Sequence, residues 1–321
     1  MELKLNPDQI TYFEERMKEL VPWIHTFKFS EEILTGYFKT EDGLGRAQTY
    51  VNSHSNQEDV AKMRNAYEAI DHTIHRNFFT KIMQHIAPLD RKNACLLDIA
   101  SATGKLSMYA VDDGFGKVIS SEIRKNQCNQ QRLIYDCLEN QIYNQTITLI
   151  NDPTSADADN FSENYKEFDI DIVLSFGLLY HLVNPLQHLI NLRNLTNKYA
   201  VIYTLTHFSP FAKRMWHLRM EDSTWITKAT SSVSWIPHFI EVKRLCKQVG
   251  FKEVKIVYPD VFEKKFSDFE DYSVMTDAKL MFQLMLKKLT GVGLGMVGSQ
   301  NPFFFHHTGM NPNYFAYVLE L

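Results

Sequence analysis

Ala94-Cys95-Leu96-Leu97-Asp98-Ile99-Ala100-Ser101-Ala102-Thr103-Gly104 decides the fold. Its first half is a short apolar run. That pattern suits a parallel strand buried on both faces, as found inside α/β sheets. Its second half is a chain of small residues closed by glycine, and Lys105 to Val111 after it has helical spacing. The stretch therefore reads as strand, tight loop, helix. Ligands of doubly wound sheets bind at such carboxyl strand ends, where small residues let the backbone come close.

Downstream the pattern repeats. Further strands are predicted at 117–122, 146–150, 169–176, 199–204 and 251–257, and a last one at 313–321. Helices are predicted at 127–138, 186–195 and 237–249, the last closed by Gly250. Alternating strands and helices imply an α/β, Rossmann-like fold with a doubly wound, mostly parallel, seven-stranded sheet. Two segments stand outside it. Residues 1–90 read as a helical extension, with a helix from Pro7 and one or two more between Gln57 and Ile86. Trp23 to Phe38 is aromatic and less regular, and Thr40 to Gly45 is a polar turn. Residues 259–312 form an insertion before the last strand, and connections of that length usually serve function. The expected organisation is thus a lid at 1–90, a core at 91–258, a substrate cover at 259–312 and a final core strand at 313–321.

Composition bounds the function. The 321 residues are 45% hydrophobic and 22% charged, ordinary globular values that support a sizeable core. Aromatics reach 13%, enough for a core plus an aromatic-lined pocket. The net charge of −4 and the lack of a basic stripe disfavour nucleic acid as a partner, since phosphate binders must displace counterions. A tRNA acceptor stays open on other grounds given below. Four cysteines, Cys95, Cys128, Cys137 and Cys246, form no CxxC pair, which predicts reduced thiols and a cytoplasmic setting. The opening Met1 to Pro7 has no apolar signal segment, and no apolar run reaches the about 18 residues of a membrane span.

Candidate site residues cluster at strand ends. Asp98 ends the first strand, where its carboxylate can order the loop or meet an amino group. Glu122 ends the second strand, 24 positions later. An acid about 20 residues beyond the loop is placed for a ribose. The phosphate-binding glycines of a dinucleotide site are absent, which argues against a nicotinamide cofactor. Asp152 follows the third strand. Each has a plain structural alternative: a tight strand–helix turn, a surface glutamate, a loop cap.

The loop Asp98 to Gly104 resembles the first motif of class I S-adenosylmethionine (SAM)-dependent methyltransferases, Asp-x-Gly-x-Gly-x-Gly. Asp98 and Gly104 match it, while Ala100 and Ala102 stand at the other glycine positions. Alanine resists positive φ, so the loop must tolerate it. Phe168-Asp169-Ile170-Asp171-Ile172-Val173-Leu174-Ser175-Phe176-Gly177-Leu178-Leu179-Tyr180-His181-Leu182-Val183-Asn184-Pro185-Leu186 resembles one branch of that family. The branch includes tRNA wobble-uridine carboxymethyltransferases and many small-molecule methyltransferases. Ser231 to Pro237 resembles the same branch ahead of its next helix.

The resemblance covers about residues 90 to 260 and implies SAM as cofactor. It implies cofactor contacts at Asp98, Ala100, Ser101, Gly104, Glu122 (ribose hydroxyls) and Asp152 (adenine amino group). The following Pro153 has no N–H, so the adenine contacts must differ in part from the family's. It places Ser175, Phe176 and Gly177 beneath the sulfonium, and Tyr180 and His181 toward the acceptor. His181 is a candidate general base or, alternatively, a structural histidine. Thr204 and His207, with the aromatics between Phe208 and Trp235, are expected at the cleft or in the core. Phe303-Phe304-Phe305-His306-His307 invites a metal reading. Adjacent histidines on a strand would face opposite ways and no partner accompanies them, so no metal is expected.

The function expected is methyl transfer to a small-molecule acceptor at O or N. A tRNA-modifying transferase and a SAM-binding subunit without activity are the alternatives.

Overall fold

The structure is a computed structural model that describes residues 7–21, 23, 25, 27, 33–39, 46–51, 55–66, 76–86, 89–137, 142–206, 216–220, 233–257 and 314–321. It opens with helix α1 (Pro7–Glu19), whose Phe13 and Met17, four apart, are fully buried. A hairpin of β1 (Leu34–Lys39) and β2 (Arg46–Val51) follows, then helices α2 (Gln57–Ala66) and α3 (Arg76–Gln84). α3 buries Phe78, Phe79, Ile82 and Met83 as one face.

The core begins at β3 (Cys95–Ile99), with all five residues buried. Then come α4 (Lys105–Asp112), β4 (Lys117–Ser121), α5 (Lys125–Cys137), a short α6 (Ile142–Thr146) and β5 (Ile147–Ile150). Next are β6 (Ile172–Phe176), α7 (Pro185–Leu195) and β7 (Tyr199–Leu205). A second hairpin, β8 (Trp216–Met220) with β9 (Val233–Pro237), precedes α8 (Phe239–Gln248), β10 (Glu253–Val257) and β11 (Tyr314–Glu320).

Seven of these strands form one sheet in the order β10-β11-β7-β6-β3-β4-β5. Counted along the chain within the sheet, that is 6-7-5-4-1-2-3. It matches the doubly wound order 3-2-1-4-5-6 of dinucleotide-binding sheets except for one strand. The last strand, β11, is wedged between the fifth and sixth and runs antiparallel to both. β4 pairs in parallel with β3 and with β5. The expected seven-stranded, mostly parallel α/β sheet is therefore present. β10, at the sheet's edge, alternates exposed Glu253 and Lys255 with buried Val254 and Ile256, as a strand with one watered face does.

The chain divides into two compact units, Met1–Leu174 with Leu195–Asn197, and Ser175–Asn194 with Lys198–Leu321. In the first, Asp171 extends the β3 region: its N–H donates to the Cys95 carbonyl at 2.9 Å and its carboxylate accepts from the Cys95 N–H at 3.0 Å. In the second, α8 starts two residues later than periodicity predicts. His238 caps it, its ring nitrogen accepting from the Ile240 N–H.

Two hairpins were not expected. The first adds two strands to residues 1–90, expected as a helical extension with an irregular aromatic stretch; Leu34 to Lys39 mixes apolar, polar and glycine residues without the two-residue alternation that marks a strand. The second lies where only an aromatic segment was foreseen, pairing Trp216 with Pro237 and Leu218 with Trp235. The insertion at 259–312, with Phe303 to His307, and His207, Phe208, Phe211 and Trp225 fall outside the described residues. No described helix is long and apolar enough to cross a membrane. Cys95, Cys128 and Cys246 are buried free thiols; burial pushes Cys95 and Cys128 up to about 11, far from reactive.

Candidate active site

The loop after β3 is built on three left-handed residues. Ala100 has φ 56°, Ala102 φ 52° and Gly104 φ 77°. The glycine positions of the motif are thus all left-handed, with alanine at two of them. For an L-residue that conformation costs roughly 1–2 kcal/mol each, so something must hold the alanines there.

Several contacts do. The Ser101 N–H donates to the Ser121 carbonyl at 3.0 Å and its hydroxyl donates to the same oxygen at 3.2 Å. The Ala102 N–H donates to Glu122 Oε2 at 2.8 Å. Gln131 of α5 donates through Nε2 to the Ala102 carbonyl at 2.6 Å and to Ser101 Oγ at 2.9 Å. The Gly104 N–H donates to the Ser101 carbonyl at 2.8 Å. Gln131 and its role are invisible in the sequence, because a helical glutamine about thirty positions away carries no local signal.

Gly104 is required twice over. Its φ favours glycine, and a Cβ there would collide with the Tyr135 hydroxyl and the Gln131 carbonyl oxygen, both on buried side chains. Gly104→Ala should therefore destabilise the fold by about 3 kcal/mol, the left-handed cost plus local overpacking. Urea unfolding measures it; a loss below about 1 kcal/mol would show that neither constraint holds.

Asp98 is 1% exposed. Oδ2 accepts from the Ser107 hydroxyl at 2.8 Å, whereas Oδ1 is buried with no hydrogen-bond partner among the described residues. Burial raises its pKa most, the Ser107 hydrogen bond opposes the rise, and the Glu122 charge adds to it; the result is about 7. A buried carboxylate with one unsatisfied oxygen is a ready receptor for a cationic amino group.

Glu122 is fully buried at the end of β4. Besides the Ala102 N–H it accepts from Arg124: Oε1 from the backbone N–H at 2.9 Å and from Nε at 2.7 Å, Oε2 from Nη2 at 3.1 Å. The guanidinium fork fixes the carboxylate's plane. Asn151, just after β5, donates to the Glu122 carbonyl at 2.8 Å and so anchors the strand end.

Asp152 is also buried. It accepts from the Thr154 N–H at 2.9 Å, from Asn164 Nδ2 at both oxygens, and from the Tyr165 hydroxyl at 2.8 Å. Burial alone would raise its pKa, but these donors together hold it below the usual carboxylate value. The Tyr165 hydroxyl in turn bonds Ser121 Oγ, linking Asp152 back to β4. Asp98, Ala100, Ser101, Gly104, Glu122 and Asp152 thus belong to one unit, and the loop, Glu122 and Asp152 are tied together through β4.

The amino-terminal segment reaches the same loop within this unit. His25 Nδ1 lies 2.6 Å from Thr103 Oγ1, and the Lys105 ammonium sits 4.9 Å from the centre of the Phe27 ring.

The other expected residues lie in the second unit. Ser175 is fully buried and its hydroxyl meets His188 Nε2 of α7 at 2.8 Å, so its side chain is committed inward. Phe176 stacks obliquely on Tyr203, ring centres 5.3 Å apart. Gly177 has φ 68° and its N–H donates to the Tyr203 carbonyl at 2.7 Å. Tyr180 and His181 lie on a single 3-10 turn, Leu179–His181, with ring centres 4.0 Å apart. Thr204 is inside β7 and buried, rather than following the strand.

No family model matches the chain, and no curated protein matches its sequence. Similar solved structures include the N-terminal domain of EvdMO1 in the presence of SAH and D-fucose, at 15% identity and TM-score 0.48, covering 77% of this chain and 89% of that one. They include the CurJ carbon methyltransferase, at 12% identity and TM-score 0.45, covering 82% of this chain and 58% of that one. They also include Burkholderia thailandensis 1,6-didemethyltoxoflavin-N1-methyltransferase with bound 1,6-didemethyltoxoflavin and S-adenosylhomocysteine, at 10% identity and TM-score 0.45, covering 92% of this chain and 99% of that one.

Proposed function

We propose that the chain is a class I SAM-dependent methyltransferase that alkylates O or N of a small-molecule acceptor. One observation supports this above all. Ala100, Ala102 and Gly104 all adopt the left-handed conformation that the resembling motif assigns to glycine, at a cost the alanines bear only because the loop is tied down. A strand–helix connection with no ligand to approach has no need of that cost.

The residues present fit the cofactor. The unsatisfied Asp98 Oδ1 suits the ammonium of the methionine moiety. Glu122 is the ribose acceptor in this reading, the hydroxyls taking the place of the Arg124 donors that now hold both its oxygens. Asp152, held ionised, is an acceptor for the adenine amino group. Ser101 and its neighbours bring the backbone close. Ser175, Phe176 and Gly177 belong to the second unit, where the Ser175 hydroxyl already serves His188. When bound, SAM supplies a methyl group activated by its sulfonium. The chain then has to orient the acceptor and receive its proton, and proximity supplies much of the rate. His181 is the base in this reading, with Tyr180 beside it. Residues 1–90, which touch the loop at Thr103 and Lys105, and residues 259–312 serve as covers. The net charge of −4 favours a small molecule over tRNA.

Asp98 makes the reading testable by pH. Its pKa of about 7 leaves it near half-protonated at neutrality, and pairing with an ammonium demands the ionised form. Binding of S-adenosylhomocysteine near pH 7 therefore releases a fraction of a proton, seen as a calorimetric enthalpy that changes with the buffer's ionisation enthalpy, and affinity rises as pH rises through about 7. Without ligand the sign is opposite. The folded chain holds this proton more tightly than the unfolded chain, whose Asp98 has its ordinary value of 3.8, so Asp98's stabilising share is full below about 4 and lost as pH rises through about 7. Asp98→Asn removes both dependences. Buffer-independent binding by the native chain would take Asp98 out of the site.

A further inference from the structure

We infer that Gln131 is the positioning residue that lets an alanine loop do the work of a glycine loop. The inference rests on the SAM reading for its ligand, but the clamp itself can be tested without one. Ala102 is gripped on both sides of its left-handed φ: its N–H by Glu122 Oε2 at 2.8 Å and its carbonyl by Gln131 Nε2 at 2.6 Å. The Ala102 carbonyl only accepts, so the Gln131 amide nitrogen must face it and the amide cannot be flipped. The other end of the amide is equally engaged. Gln131 Oε1 accepts from the Ser120 hydroxyl at 2.7 Å and from the Tyr135 hydroxyl at 3.1 Å. One fully buried side chain thus makes four hydrogen bonds, to β4, to its own helix and twice to the loop.

The consequence is a division of labour. In a glycine loop the left-handed conformation is nearly free, and the loop can adopt it on its own. Here Gln131 and Glu122 impose it before any ligand arrives. If Gln131 is lost, the loop relaxes out of the left-handed region, and a ligand must force it back at its own expense. Glycine at 102 removes that cost, so it should rescue the loss of Gln131. A side chain that merely fills space in the core would not be rescued by a change of backbone propensity elsewhere.

The test compares four chains: native, Gln131→Glu, Ala102→Gly and the double variant. Gln131→Glu keeps the shape and, ionised at the alkaline pH at which the comparison is made, offers only acceptor oxygens and cannot donate to the Ala102 carbonyl. Calorimetry with S-adenosylhomocysteine is expected to show at least a tenfold loss for Gln131→Glu, and recovery to within about threefold of native in the double variant. Unfolding in urea without ligand is expected to show the opposite coupling. Glycine at 102 stabilises the chain that retains Gln131 more than the chain that lacks it, because only the clamped loop holds the strain. Native-like affinity in Gln131→Glu, or equal stabilisation by glycine in both backgrounds, would overturn the clamp. If the native chain binds no S-adenosylhomocysteine, the SAM reading fails, and the unfolding comparison still decides the clamp. Should Gln131→Glu not fold, Gln131→Met, which removes the amide without adding charge, takes its place in both measurements.

Discussion

Glu122→Ala lowers affinity for S-adenosylhomocysteine by about a hundredfold or more. The side chain is fully buried and already serves two neighbours, the Ala102 N–H and the Arg124 guanidinium. Hydrogen bonds to a charged acceptor are worth roughly 1.5–3 kcal/mol each. Losing the two ribose contacts proposed for it while freeing the strained loop therefore reaches the roughly 2.7 kcal/mol of a hundredfold change. Glu122→Gln separates the two contributions. It keeps an acceptor for the Ala102 N–H but offers one oxygen in place of two, so it should lose affinity by about tenfold. Arg124→Ala, which frees the carboxylate without removing it, should cost less than either. Calorimetry on the three variants checks the ranking. Unchanged affinity in Glu122→Ala would remove Glu122 from ligand binding and leave it as a purely structural anchor of the Ala102 turn.

His181→Ala behaves differently. It lowers turnover by about 10²–10⁴-fold, the usual contribution of a general base, while leaving S-adenosylhomocysteine affinity within about threefold of native. His181 sits at the end of the 3-10 turn, its N–H held by the Leu178 carbonyl at 2.9 Å and its ring against Tyr180. Unchanged turnover assigns the histidine to packing. A parallel loss of affinity and turnover assigns it to cofactor binding.

The seven-stranded sheet was readable because its strands are short apolar runs cut by turn residues, and buried strands have little choice of composition. Cys95–Ile99, Lys117–Ser121 and Ile147–Ile150 fall inside their predicted spans. The first hairpin was not readable, because Thr35, Gly36 and Tyr37 break the alternation that period-two arguments need. The second carried a signal that its aromatic content hid: Trp216, Leu218 and Met220 alternate with His217 and Arg219, the period-two pattern of a strand. The positions of Asp98, Glu122 and Asp152 at strand ends were readable from the sequence. The site was opaque where tertiary contacts choose a partner. Nothing local says that the Ser175 hydroxyl belongs to His188, that Tyr165 bridges Ser121 and Asp152, or that Gln131 grips Ala102. The alanines show the same limit from the other side. Their residue type argues against positive φ, and the fold overrides it through five hydrogen bonds on Ser101 and Ala102 that come from other elements.

The central claim is that the loop at Asp98 to Gly104, with Glu122, binds SAM. Isothermal titration of the full chain with S-adenosylhomocysteine, and separately with NAD, tests it most directly. A single site for S-adenosylhomocysteine, lost in Glu122→Ala, and no heat with NAD are expected. Binding of NAD with none of S-adenosylhomocysteine, or binding of neither, would contradict it.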